Sequence, residues 1–179
     1  MVSSNDILDF WFDEITPKQW WAVDNAFDTL ITKRFGQTLD HAIANELAHW
    51  RETAEGRLAE IIVLDQFSRN IFRGSPQAFA QDPQALMLAQ EAVHQGALDM
   101  LGAQQRAFLL MPYMHSESAA IHAKAEPLFA MHAPRNLDHE QRHRAIIDRF
   151  GRYPHRNDIL GRQSTSEEIE FLKQPGSRF

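Results

Sequence analysis

Arginine, histidine, asparagine and aspartate crowd into Phe150-Gly-Arg-Tyr-Pro-His-Arg-Asn-Asp-Ile-Leu-Gly-Arg162. A guanidinium presents a planar fork of donors that matches a carboxylate or a phosphate. Gly151 supplies a left-handed helix stop and Pro154 fixes the turn after it, so Arg152, His155, Arg156 and Asn157 are gathered at a bend. Backbone N–H groups at the start of the turn Asp158–Gly161 would strengthen an anion site made by Arg152 and Arg156. The structural alternative has Asn157 and Asp158 capping that turn while the arginines bind helix-end carbonyls.

Two further motifs carry chemistry. In Leu64-Asp-Gln-Phe-Ser-Arg-Asn-Ile-Phe-Arg-Gly74, Asp65, Arg69 and Arg73 follow one another at four-residue steps and so share a helix face, with Asn70 beside them. Apolar residues crowd both sides, which predicts an enclosed carboxylate–guanidinium face that is either a site or a clamp between helices. In Met111-Pro-Tyr-Met-His-Ser-Glu-Ser118, a proline bend precedes an imidazole, a hydroxyl and a carboxylate. His115 has an unperturbed pKa near neutrality and can act as general acid or base. His115, Glu117 and His122 form a conceivable metal set, but the spacing is not that of a zincin helix, and no metal or cofactor is expected.

These motifs support three functions. The leading one is a helical binding protein whose cleft gathers Asp65, Arg69, Asn70, His115, Glu117, Arg152, His155, Arg156 and Asn157 around a small anionic ligand or a peptide carboxylate. The rival is a hydrolase-like enzyme with His115 or His155 as base and Asp65 or Glu117 orienting it. Ser68 and Ser116 offer hydroxyls, yet neither sits in a nucleophile elbow or a glycine-rich phosphate loop. The third is a protein-interaction scaffold in which the polar motifs only hold helices together.

The elements that position these motifs read as helices throughout. The chain has 179 residues, enough for one domain spanning 1–179, with no cysteine and hence no disulfide framework or thiol nucleophile. Leucine, alanine, glutamine and glutamate abound while valine is rare, which favours helix over sheet. Ser3 caps a first helix carrying Ile7, Leu8, Phe10, Trp11 and Phe12, and Pro17 ends it. Phe27, Leu30, Ile31, Phe35 and Leu39 recur at helical spacing, continuing through Ile43, Leu47 and Trp50. Trp11, Trp20, Trp21 and Trp50 predict an aromatic cluster in the core. Ser75-Pro76 and Asp82-Pro83 read as helix caps followed by an N1 proline. Leu137 to Phe150 forms a helix stopped by Gly151, and Thr165 with Glu168 matches a capping box. The sum is an all-α fold of about eight helices in antiparallel hairpins. The rhythm of Ala85–Gly96 suggests a tetratricopeptide-like right-handed stack, although no repeat of about 34 residues recurs.

The formal net charge is −6, with the acidic excess in the first third of the chain. That balance argues against nucleic acid as a partner. No apolar run approaches the roughly 20 residues of a membrane span, and the N-terminus lacks a signal-peptide pattern. A soluble, cytoplasmic protein is expected; nothing in the sequence sets its oligomeric state.

Together the three motifs resemble those of the bacterial domain-of-unknown-function family 924. Ile7-Leu-Asp-Phe-Trp-Phe12 near the start and Ser164-Thr-Ser-Glu-Glu with Phe171-Leu172 near the end fit it too, so the resemblance covers nearly the whole chain. It implies an all-helical, tetratricopeptide-like fold and no established activity. It also implies an acidic residue just before the His-Ser-Glu triplet, where this chain has Met114. Any metal or acid–base role of that carboxylate is therefore missing here.

Overall fold

Capping chemistry sets several of the helix starts. In the computed structural model, which describes residues 2–179, Ser3 and Asp6 form a reciprocal capping box ahead of α1 (Ser4–Leu8). The helix then widens into a π-helical stretch, Asp9–Glu14, that buries Phe10 and Trp11. Asp24 accepts from the N–H groups of Ala26 and Phe27 to start α2 (Asn25–Ile43). The apolar pattern that runs on to Trp50 is not one helix. Asn45 adopts φ 60°, breaks the run, and hands over to a 3₁₀ turn at Ala48–Glu52.

Thr53 then caps α3 (Ala54–Ile62) through the Gly56 N–H. A Cβ on Gly56 would lie 1.9 Å from the Trp50 carbonyl oxygen, so only glycine fits this approach. From Ile62 the backbone passes through a π-helical turn, Val63–Phe67, into α4 (Ser68–Ile71). Short α5 (Gln77–Ala80), α6 (Asp82–His94) and α7 (Ala97–Met100) follow. After α8 (Ala103–Met114), which contains Pro112, come α9 (Ala119–His132), α10 (Leu137–Phe150) and α11 (Ser166–Phe171). Gly151 takes φ 68° and stops α10, as its sequence position predicts. Among the described residues there is no strand, and none of the helices is long and apolar enough to cross a membrane.

The α3–α4 segment is the axis of the molecule. It packs against α1, α2, α6 and α8, while α8, α9 and α10 lie side by side in succession. Phe10, Phe35 and Phe67 meet at its centre, with ring centroids 4.9 Å (Phe10–Phe35) and 5.1 Å (Phe35–Phe67) apart. Fully burying one such ring contributes about 1.5–3 kcal/mol. Trp11 and Trp50 are buried and Trp20 is half-buried, donating its indole N–H to the Trp11 carbonyl at 2.9 Å. Trp21 stays 62% exposed at the edge of the cluster, against Trp20 and stacked on Phe108, rather than in the core. A smaller cluster, Ile146, Ile147 and Tyr153 with Phe150 and Phe171, anchors the C-terminal segment.

Candidate functional site

Two irregularities in otherwise regular helices face each other. The π-helical turn at Val63–Phe67 carries Asp65, and α8 carries Pro112 one turn before its end at His115. A π turn widens a helix by one residue and re-aims its side chains. Proline removes the N–H that would bond the carbonyl four residues back, loosening the last turn of α8. Asp65 and His115 meet between them, with His115 Nδ1 2.7 Å from Asp65 Oδ1.

Asp65 is 1% exposed and also accepts from Gln66 Nε2 at 2.7 Å and Arg69 Nη1 at 3.1 Å. Burial alone would raise its pKa, but His115 and Arg69 more than reverse that and hold it far below the usual carboxylate range. An ionised carboxylate only accepts, so Nδ1 of His115 carries the proton and Nε2 is left as a lone-pair acceptor. Burial, and then the neighbouring Arg69 charge, push the His115 pKa down, so the imidazole is neutral at physiological pH. His115 lines a cleft of about 350 Å³, together with Phe79, Asp82, Leu86, Ser116, Glu117 and Arg156.

Asp82 is the residue that sequence reasoning missed. Read as a helix cap before Pro83, it makes no capping bond, and α6 begins from Gln81 instead. Its carboxylate turns to Arg69, which donates Nη1 and Nη2 to its two oxygens at 2.8 and 3.0 Å. Arg156 reaches the same carboxylate only at 3.3 Å. The Arg156 guanidinium lies between the rings of Phe79 and Tyr153, at 4.5 and 4.8 Å, and its Nε is buried with no partner. Burial and the Arg69 charge push its pKa below the ordinary arginine value.

The end of α8 is held by tertiary donors. The carbonyls of a helix's last turn have no intrahelical partner. Here the Tyr153 hydroxyl donates to the Met114 carbonyl at 2.6 Å and Arg156 Nη2 donates to the His115 carbonyl at 3.0 Å. His122 Nε2 lies 2.8 Å from the Ser116 carbonyl, and its Nδ1 is 2.6 Å from Glu140 in full burial. Burial raises the Glu140 pKa against the opposing pull of His122. This network fixes the bend that carries His115. Met114, where the family resemblance implies a carboxylate, is buried against the core.

The remaining residues singled out in the sequence divide. Glu117 lines the cleft but is engaged by Arg162, at 2.7 and 2.8 Å, and by the Tyr153 N–H at 2.7 Å. Arg162 also borders a second, more open groove of about 610 Å³, so this ion pair stands between the two hollows. Asn70 lies outside the cleft lining, donating to Asp28, which also pairs with Arg73. The four-residue spacing thus brings Arg69 to Asp65 but does not bring Arg73, because the helix ends at Ile71 and Arg73 lies in the turn beyond it. Arg152 pairs with Glu168, and Asn157 donates to Glu168 and Ser164 while accepting from Arg162. Arg152 and Arg156 therefore do not form one anion site. His155 packs on Phe179 at 4.6 Å with its Nδ1 buried and unpartnered, and burial pushes its pKa down to about 4. Among the described residues, no cluster of three or more histidine and acidic side chains is arranged to hold a metal ion.

The family described as "Bacterial protein of unknown function (DUF924)" matches residues 7–176. The chain belongs to that family. No curated protein sequence matches it. A solved structure of a protein of unknown function from Agrobacterium tumefaciens superposes with a TM-score of 0.90 at 39% identity, covering 95% of this chain and 96% of that one. The all-helical architecture is thus common to both proteins.

Proposed function

We propose that the cleft beside His115 and Arg156 binds a small anionic ligand. The observation that carries this reading is Arg156: a buried guanidinium lining the cleft, whose Nη2 is bonded to the His115 carbonyl and whose Nη1 makes a long contact to a carboxylate already held by Arg69, while its Nε–H lacks any acceptor. A buried donor without a partner costs about 1–3 kcal/mol, which a bound anion would recover. Arg69 and Asp65 support that lining, and Glu117 with Arg162 closes one side. The test is a thermal-shift screen of metabolites and divalent cations on the wild type and on Arg156→Ala. A ligand present at a hundred times its Kd stabilises by about 2.7 kcal/mol, raising Tm by roughly 5–10 °C for a chain of this length. A hit that shifts only the wild type supports the reading; hits that shift both proteins equally, or no hit at all, defeat it.

A second reading, acid–base catalysis at the same cleft, is favoured by one specific observation. The buried Asp65 holds His115 in the tautomer that turns an unprotonated nitrogen outward, and that nitrogen makes no hydrogen bond within the protein. If a screened ligand is turned over, His115→Gln abolishes turnover while leaving binding through Arg156 in place. Turnover that survives the substitution sinks this reading.

A further inference from the structure

Apolar and charged side chains share the cleft lining: Phe79, Pro83, Leu86, Pro112 and Leu160 on the one hand, Asp82, Glu117 and Arg156 on the other. The balance of charge restricts what can enter. Arg69, Arg156 and Arg162 face Asp65, Asp82 and Glu117 with His115 neutral, so the ensemble is near neutrality before any ligand arrives. The pairing is nevertheless uneven. Glu117 is gripped by both Nη groups of Arg162, and both oxygens of Asp82 by Arg69, which leaves Arg156 short of counter-charge.

We infer that the ligand is a monocarboxylate with an apolar body. Its carboxylate accepts from the unpartnered Nε–H of Arg156, which is buried in the free protein and must be uncovered as the ligand enters, and its hydrocarbon or aromatic body lies against Phe79, Leu86 and Leu160. The inference rests on the anion-binding reading above and narrows it to one chemical class. A phosphoryl dianion is the poorer fit. It calls for several cationic donors, whereas the cleft offers one unsatisfied guanidinium N–H and sets Asp82 and Glu117 in its lining to repel a second negative charge. The volume, about 350 Å³, is at the lower end of ordinary small-molecule sites and suits a body the size of a phenyl or indole ring.

The test uses the ¹⁵N-labelled full chain titrated with phenylacetate, hexanoate, phenylacetamide and inorganic phosphate, followed by amide chemical shifts. Phenylacetate and hexanoate are expected to move the resonances of Phe79, Leu86 and His115, with phenylacetamide binding at least about tenfold more weakly. Arg156→Lys keeps the charge but removes the Nε donor, and should weaken phenylacetate by a similar factor. Leu86→Glu places a repelling carboxylate at a half-buried lining position without touching the ion-pair network. It should abolish carboxylate binding even if Arg156→Lys proves too unstable to assay. Equal binding of phenylacetamide and phenylacetate overturns both the class and the anion reading. Phosphate binding at these residues in preference to the carboxylates overturns the class and leaves the anion reading standing. No response to any probe likewise ends the monocarboxylate proposal, and the metabolite screen then decides the anion reading alone.

Discussion

Replacing Asp65 with asparagine isolates the contact on which the polar centre depends. The carboxylate is 1% exposed and accepts from His115, Gln66 and Arg69 at 2.7, 2.7 and 3.1 Å. Asparagine keeps one acceptor oxygen but turns an amide donor toward groups that are themselves donors. It also leaves Arg69 with Asp82 as its single carboxylate partner. Removing one member of a buried ion pair typically destabilises by about 3–5 kcal/mol, a large share of the roughly 5–15 kcal/mol that a domain holds in total. Urea denaturation at pH 7 should therefore show a lower midpoint with an unchanged slope. A double-mutant cycle with His115→Gln should return a coupling of about 1.5–3 kcal/mol. The pH dependence has a definite sign. The folded-state pKa of Asp65 lies below its unfolded value of about 3.9, so its stabilisation is complete above about pH 5 and disappears as pH falls below that. Asp65→Asn should flatten that acid limb. A loss under about 1 kcal/mol, or an acid limb identical to wild type, would refute the buried-dyad reasoning.

Other substitutions test other parts of the structure. Burial pushes the pKa values of His143, which is buried, and His155, which is half-buried, down to about 3 and about 4, below the unfolded value of about 6.5. Each contributes stability that is present above that value and lost as pH falls, at about 1.4 kcal/mol per pH unit. Unfolding free energies measured between pH 7.5 and 5 should fall accordingly as pH is lowered, and His155→Gln should remove one proton's worth of that pH slope. Tyr153→Phe leaves the buried Met114 carbonyl without its donor and should cost about 1–3 kcal/mol in the same assay. Gly56→Ala drives a methyl into the Trp50 carbonyl and should destabilise by about 1–3 kcal/mol or more. Gly36→Ala, in the open interior of α2, should stabilise by about 0.5–1 kcal/mol.

Local signals carried the helices, and long-range partners decided the site. Ser3 with Asp6, Thr165 with Glu168, and Gly151 each terminate a helix through bonds within a few residues, so reading them needed no tertiary knowledge. The π turn at Val63–Phe67 left no mark in the apolar pattern, since one extra residue per turn is absorbed where every side chain is buried. Nor did the pattern show that α4 ends at Ile71, which is why Arg69 reaches Asp65 and Asp82 while Arg73, beyond the helix end, goes to Asp28. Asp82 was hidden because Asp-Pro is a strong cap signal, and only the fold shows its carboxylate turned toward the arginines. Glu168 explains the loss of Arg152 and Asn157 from the cleft. Its capping-box role was legible, but the same carboxylate also draws both of those side chains from across the C-terminal segment. Asp65, Arg69, His115 and Arg156 converge because the segment carrying the first two meets the end of α8 through the Asp65–His115 bond, and the carbonyls of that end recruit Tyr153 and Arg156.

The same network that builds the cleft also ties off a helix end, and a ligand is what separates the two roles. The most direct measurement is a crystal structure of the protein grown with phenylacetate. The expected result is a carboxylate within hydrogen-bond distance of Arg156 Nε and a ring resting on Phe79 and Leu86. Density for the ligand elsewhere, or a cleft unchanged at saturating phenylacetate with Arg156 bonded only to Asp82 and the His115 carbonyl, would contradict it.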